Sequence, residues 1–179
     1  EKYWDTAMET ANMMSILLAQ MDLQAECPIE DAYAFGLFRD CGIPLMAMKY
    51  ADYKETLIEA NNHPEAIFTD IEEEHYQTNH AIVGFFVANS WNLPKSLCEL
   101  ILRHHEPEFL EARDVSDLQK NLYALVKMAS NALNHYKFMT DDSEWLLAKE
   151  SVLDFLGLTD FDHNDIEEDI KESFKTQFG

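Results

Sequence analysis

From Tyr3 onward, apolar residues recur every three or four positions, and no stretch alternates with period two for long enough to build a strand. That repeat is the strongest constraint on the chain. It predicts an all-α fold, a compact multi-helix bundle. Five Gly and five Pro in 179 residues leave few places to break a helix, and 47% apolar residues suffice for a core. "YWDTAMETANMMSILLAQM" puts Trp4, Met8, Ala11, Ser15 and Leu18 on one stripe, thickened by Met13, Met14, Ile16 and Leu17. "IEDAYAFGLFRDCG" predicts a second helix ending near Cys41 and Gly42, the glycine suiting a helix C-terminus. One or two helices follow in "PLMAMKYADYKETLIEANN". Thr69 and Glu72 have capping-box spacing, which predicts one long helix over "DIEEEHYQTNHAIVGFFVANSW". Pro94 opens "PKSLCELILRHHE", and Ser116 with Gln119 opens "LQKNLYALVKMASNALNHYKF". Two amphipathic pieces, near 145–156 and 166–174, complete the set.

Charge narrows the partners. Lys and Arg number 13 against 34 Asp and Glu, so the net charge is 13 − 34 = −21. A field of that sign repels phosphate backbones, which disfavours nucleic acid and anionic membranes. No apolar run approaches the ~20 residues of a membrane span, and no signal peptide is visible. Cys27, Cys41 and Cys98 are odd in number and lack CxxC spacing, so they read as reduced, buried thiols of a cytoplasmic protein. The expected organisation is one domain over 1–179, with a core to 139 and C-terminal helices over 140–179. The chain opens at Glu1 without Met, inside apparent helix, which leaves room for earlier helices. The acidic "LTDFDHND" at 158–165 is the one candidate boundary.

The chemistry rests on a few side chains. Asp40 ends its helix, His80 sits mid-helix, and His104 and His105 form a doublet late in another. Gly84, four residues after His80, would let another helix approach closely on that face. Imidazole and carboxylate suit borderline and hard cations, and ligands from separate helices can converge inside a bundle. Against this, a lone helical His is usually just hydrogen-bonded or exposed, and adjacent helical side chains diverge by roughly 100°. Other patterns fail. "DFDHND" lacks the glycine and the final glutamate of a calcium loop. The run Glu72, Glu73, Glu74 reads as a solvated face near a helix N-terminus. No glycine-rich phosphate loop exists, Cys41 reads as a small buried thiol, and Trp91 with Leu93 and Pro94 reads as a packed corner.

The order of "YWDTAMETANMMSILLA", "AFGLFRDCGIPLM", "EEEHYQTNHAIVGFFVANSWNLP", "CELILRHHEPE" and "LVKMASNALNH" resembles the HD superfamily of metal-dependent phosphohydrolases, most closely its HDOD (HD-related output domain) branch of bacterial signalling proteins. The likeness runs from about Tyr3 to about His135. Its most specific part is the series His80, Gly84, Trp91, Leu93, Pro94, His104, His105. The resemblance implies an HD-like helical bundle. It also implies a metal site that this chain has altered. Thr6 stands where the family has its first His, Arg39 where it has the His of the His-Asp pair, and Ser130 where it has the last Asp. Asp40 remains, and His80, His104 and His105 match ligands of two-metal members. Without a cation to lower the pKa of water, hydrolysis is not expected. The expectation is therefore a non-catalytic signal-output module with no catalytic residues and no cofactor. Its partners would be proteins, with homo-oligomers also allowed. Two alternatives stay open. One is a single divalent transition metal on Asp40, His80, His104 and His105, structural or weakly hydrolytic. The other is a pocket that senses phosphate or a nucleotide. A docking face is expected in the C-terminal region, from Trp145, Leu146, Phe155, Phe161 and Phe178, unless these simply cap the bundle.

Overall fold

The helical period is realised throughout residues 2–179, which a computed structural model describes. The α-helices are α1 Lys2–Gln20, α2 Ile29–Phe38, α3 Ile43–Lys49, α4 Tyr53–Asn62, α5 Phe68–Tyr76, α6 His80–Ser90, α7 Lys95–Arg103, α8 Asp117–Phe138, α9 Ser143–Leu156 and α10 Asp160–Phe178. A 3-10 turn, Phe109–Glu111, precedes α8. Among the described residues there is no strand, so the chain is all-α. The helices form two compact units. One runs up to Leu37 and resumes over Pro107–Gly179; the other is Phe38–Glu106.

The first unit is organised around α8. Ser116 and Gln119 close the capping box that their spacing predicts. From Leu122 to Ala129 every residue of α8 is buried, because α1, α9 and α10 all pack against it. A helix apolar all round must be enclosed all round. Even Lys127 is buried there, its ammonium donating to Glu144 at 2.6 Å and lying 5.0 Å from the Tyr123 ring centre. The stripe expected on α1 is realised at Ala11 and Leu18 but not at its start. Trp4 and Met8 are 42% and 49% exposed, while Ala7, Thr10, Ala11, Met13, Met14, Leu17 and Leu18 are buried. Gly36 of α2 lies against α1, where a Cβ would stand 2.8 Å from the Ala11 Cα.

The acidic stretch at 158–165 is a tight turn. Gly157 ends α9 in the left-handed region (φ 67°), and Thr159 with Asp162 forms a capping box that opens α10. Trp145 is core, 2% exposed and stacked on the His163 ring at 4.6 Å, so it leaves the expected docking face. Leu146, Phe155, Phe161 and Phe178 do stay exposed. The α8–α10 contact is polar at its centre. Buried Glu167 accepts from Asn131 Nδ2 at 3.1 Å and from His135 Nδ1, and Lys171 Nζ lies 3.3 Å away. In the second unit, Trp91 rests edge-on against Phe38 at 5.5 Å but is 52% exposed, so it is only partly packed.

Burial opposes ionisation of Glu167, but the His135 hydrogen bond and the Lys171 charge hold its carboxyl below the usual value. A depressed carboxyl adds stability that is present above the unfolded pKa of about 4.3 and is lost as pH falls through the lower folded value. Urea unfolding should therefore show Glu167→Gln less stable than wild type at about pH 6, with the gap narrowing towards about pH 3. A gap independent of pH would mean that the charge on Glu167 contributes nothing.

Candidate metal centre

The second unit converges three segments on one point. After α2 the chain turns through residues 39–42 and starts α3. Gly42 has ordinary right-handed backbone (φ −75°, ψ −26°), so it is not the left-handed helix terminus expected from its position. Closeness demands glycine here. A Cβ on Gly42 would lie 1.9 Å from the His80 carbonyl oxygen and 2.8 Å from the Gly84 nitrogen. Gly84 is likewise crowded, with an added Cβ 3.2 Å from an Ile101 methyl and 3.5 Å from the Cys41 sulfur. The Cys41 thiol donates to the Gly84 carbonyl at 3.6 Å. Two glycines thus let the turn lie directly on α6, and Asp40 arrives beside His80.

The single long helix expected over 70–91 is broken. Gln77 adopts left-handed backbone (φ 57°), and Asn79 restarts the chain as the N-cap of α6, accepting from the Ile82 N–H at 2.8 Å. Thr69 caps nothing; Ile67 is the N-cap of α5. The break folds Glu72 back over the start of α6. Its carboxylate accepts the His80 backbone N–H at 3.2 Å, the His80 Nδ1–H at 2.6 Å, and the Tyr53 hydroxyl. Glu72 is 0% exposed, whereas Glu73 and Glu74 are solvated as the run predicts.

The third segment is the end of α7. His104 and His105 lie just past the last helical residue, Arg103, so the 100° divergence of helical neighbours does not bind them. Their ring centres are 4.0 Å apart. His104 Nδ1–H donates to the Ile101 carbonyl at 2.7 Å. Phe68, the first residue of α5, stacks on His105 at 5.7 Å and meets the His80 ring edge-on at 5.1 Å.

The ligand atoms of Asp40, His80, His104 and His105 all lie within 4.8 Å of one another. His80 Nε2 is 2.9 Å from His105 Nε2 and 3.5 Å from Asp40 Oδ1; His104 Nε2 is 3.2 Å from the same oxygen. His80 and His104 are buried, and Asp40 keeps 24% of its side chain exposed. Arg39 Nε donates to the other oxygen, Asp40 Oδ2, at 2.9 Å. With Nδ1–H taken by Glu72 and by Ile101, neutral rings at 80 and 104 turn Nε2 lone pairs toward a carboxylate oxygen. Such lone pairs repel unless positive charge comes between them, as protons or as a cation. The charges around the two groups act in the same sense. Burial opposes ionisation of Asp40, yet Arg39, His104 and His80 hold its carboxyl well below the usual range. Burial disfavours the His80 imidazolium, but Asp40 and Glu72 outweigh it and push the group up to about 9.

The HDOD domain family matches residues 1–107, which take in α1 to α7 and all four ligands. The chain belongs to the HDOD domain family. No curated protein matches it. Two solved structures share its fold. One, from Shewanella amazonensis SB2B and named as a candidate phosphohydrolase, superposes with a TM-score of 0.65 at 19% identity over 96% of this chain. The other, named as an HDOD domain protein with unknown function from Geobacter sulfurreducens, gives 0.64 at 22% identity over 97%. This chain spans 59% of the length of each.

Within this HDOD chain, sequence reasoning foresaw the four converging residues but missed Glu72 and Phe68. No local signal marks Glu72, since its partner lies eight residues on, across a chain reversal. Thr6, on α1, is exposed, and Ser130, on α8, is half-buried; both belong to the first unit. Gly42→Ala should cost about 3 kcal/mol or more in urea unfolding, because the obstacle is backbone. Gly157→Ala, strained in φ but with open space around it, should cost about 1 kcal/mol. Equal, small losses at both positions would show that the turn does not press on His80.

Proposed function

We propose that this HDOD domain is a non-catalytic signalling module that works through protein contacts, and that its cluster holds one divalent transition metal as a structural tie. The Arg39–Asp40 pair carries the reading. A two-cation hydrolytic centre built on Asp40 would place one of its carboxylate oxygens on each cation. Here Asp40 Oδ2 is taken by Arg39 at 2.9 Å, and the guanidinium stays charged at any working pH. That leaves Oδ1 for one cation. Three imidazoles and one carboxylate oxygen make four protein donors, the number typical of a closed structural site rather than one with a position kept for water. Thr6 and Ser130 add no imidazole or carboxylate where the family resemblance places them.

The donor chemistry suits zinc or a similar borderline ion. Asp40, His80, His104 and His105 would hold it, and it would supply the positive charge that their converging lone pairs need. Glu72 and the Ile101 carbonyl would fix which ring nitrogens face it, as such outer partners do in metal sites. The naming of the Shewanella structure as a candidate phosphohydrolase favours hydrolysis as the alternative; Arg39 is the observation against it here.

Elemental analysis of the purified chain should find about one equivalent of transition metal. His104→Ala should abolish it, and Glu72→Gln should weaken zinc affinity about 10- to 100-fold. The chain should not turn over bis(p-nitrophenyl) phosphate with Mn2+ or Zn2+, and Arg39→His alone should not change that. About two equivalents of metal, or turnover by either protein, would sink the non-catalytic reading. No bound metal would sink the structural tie.

A further inference from the structure

The first unit carries a groove that plays no part in the cluster. It encloses about 660 Å3 between the outer face of α9 and the segment through the 3-10 turn. Along α9, Leu147, Glu150, Ser151, Asp154 and Phe155 fall on one helical face. Pro107, Leu110 and Glu111 stand opposite. Leu147 and Phe155 are 47% and 37% exposed, so the groove offers apolar surface to whatever enters it. Three exposed carboxylates, Glu111, Glu150 and Asp154, line the same space. Among the described residues none of the three has an ion-pair partner. The one lysine of α9, Lys149, is taken up by Asp160 at 2.5 Å.

We infer that this groove docks a cationic amphipathic helix from a protein partner. The inference rests on the non-catalytic reading and gives the partner its chemistry. Leu147 and Phe155 are eight residues apart on α9, roughly 12 Å of rise, a distance that a helix of two or three turns spans. Apolar side chains on one face of such a helix would cover them, in the helix-in-groove manner. Lysines or arginines flanking that face would meet Glu111, Glu150 and Asp154. An anionic segment would be repelled, and so would a second copy of a chain with a net charge of −21. Complementary charge steers the encounter, and salt screens it.

The test uses a labelled helical peptide of about 14 residues, leucine on one face and lysine on the other, and a twin with glutamate for each lysine. Binding to the whole chain is read by fluorescence anisotropy. The lysine peptide should bind at least about tenfold more tightly than its twin. Leu147→Ser with Phe155→Ser should weaken it at least about tenfold with an unchanged melting temperature. Glu150→Gln with Asp154→Asn should weaken it and flatten its salt dependence. Phe178→Ser, outside the groove, should change nothing. The proposal is overturned if the lysine peptide does not bind, if neither groove variant weakens it, or if Phe178→Ser weakens it as much as they do. Failure here leaves the non-catalytic reading standing, because metal count and turnover decide that separately.

Discussion

The second unit depends on how closely the Cys41–Gly42 turn presses on the first turns of α6. No side chain fits between Gly42 and the His80 carbonyl, where even a Cβ would come within 1.9 Å. That contact fixes Asp40 relative to His80 without any help from Asp40 itself. It also explains why glycine recurs at position 84, on the other half of the same contact. The site is therefore set by backbone packing first. Its polar groups occupy a geometry that the glycines have already defined.

Burying that geometry creates an electrostatic problem. Glu72 is fully enclosed and Asp40 mostly so, and a buried carboxylate is tolerated only with paired charge and satisfied hydrogen bonds. Arg39 answers for Asp40, and His80 stands between both acids. The raised His80 and the depressed Asp40 are two views of one balance, in which two enclosed acids favour positive charge beside them. The first unit solves the same problem with ordinary side chains. Lys127 meets Glu144, and His135 and Lys171 meet Glu167. Among the described residues the buried acids, Glu72 and Glu167, are both paired, and the other acids keep contact with water.

Much of the architecture was legible in local pattern. The helical period, the capping box at Ser116 and Gln119, and the order of the elements depend on residues a few positions apart, and they came out as read. The four converging side chains were legible mainly through the family resemblance, which sets His80, His104 and His105 beside Asp40; their spacing alone leaves a lone carboxylate, a lone imidazole and a doublet. The misreadings have two causes. Thr69 and Glu72 look like a capping box, yet Glu72 serves His80 and Tyr53 instead. On α1, Ala11 and Leu18 of the expected stripe are buried while Trp4 and Met8 fall outside, because that helix is apolar on several faces and its periodicity leaves the edge of the buried side ambiguous.

Period and capping therefore determined that this chain is helical and roughly where most of its helices begin, and side-chain chemistry named the residue types that could bind a cation. Tertiary structure decided the rest: that α5 and α6 are two helices, that Gly42 is needed for contact rather than for a left-handed turn, and that Glu72 is buried. Helix signals act over three or four residues, whereas a charge is buried or solvated according to what packs on it from far along the chain.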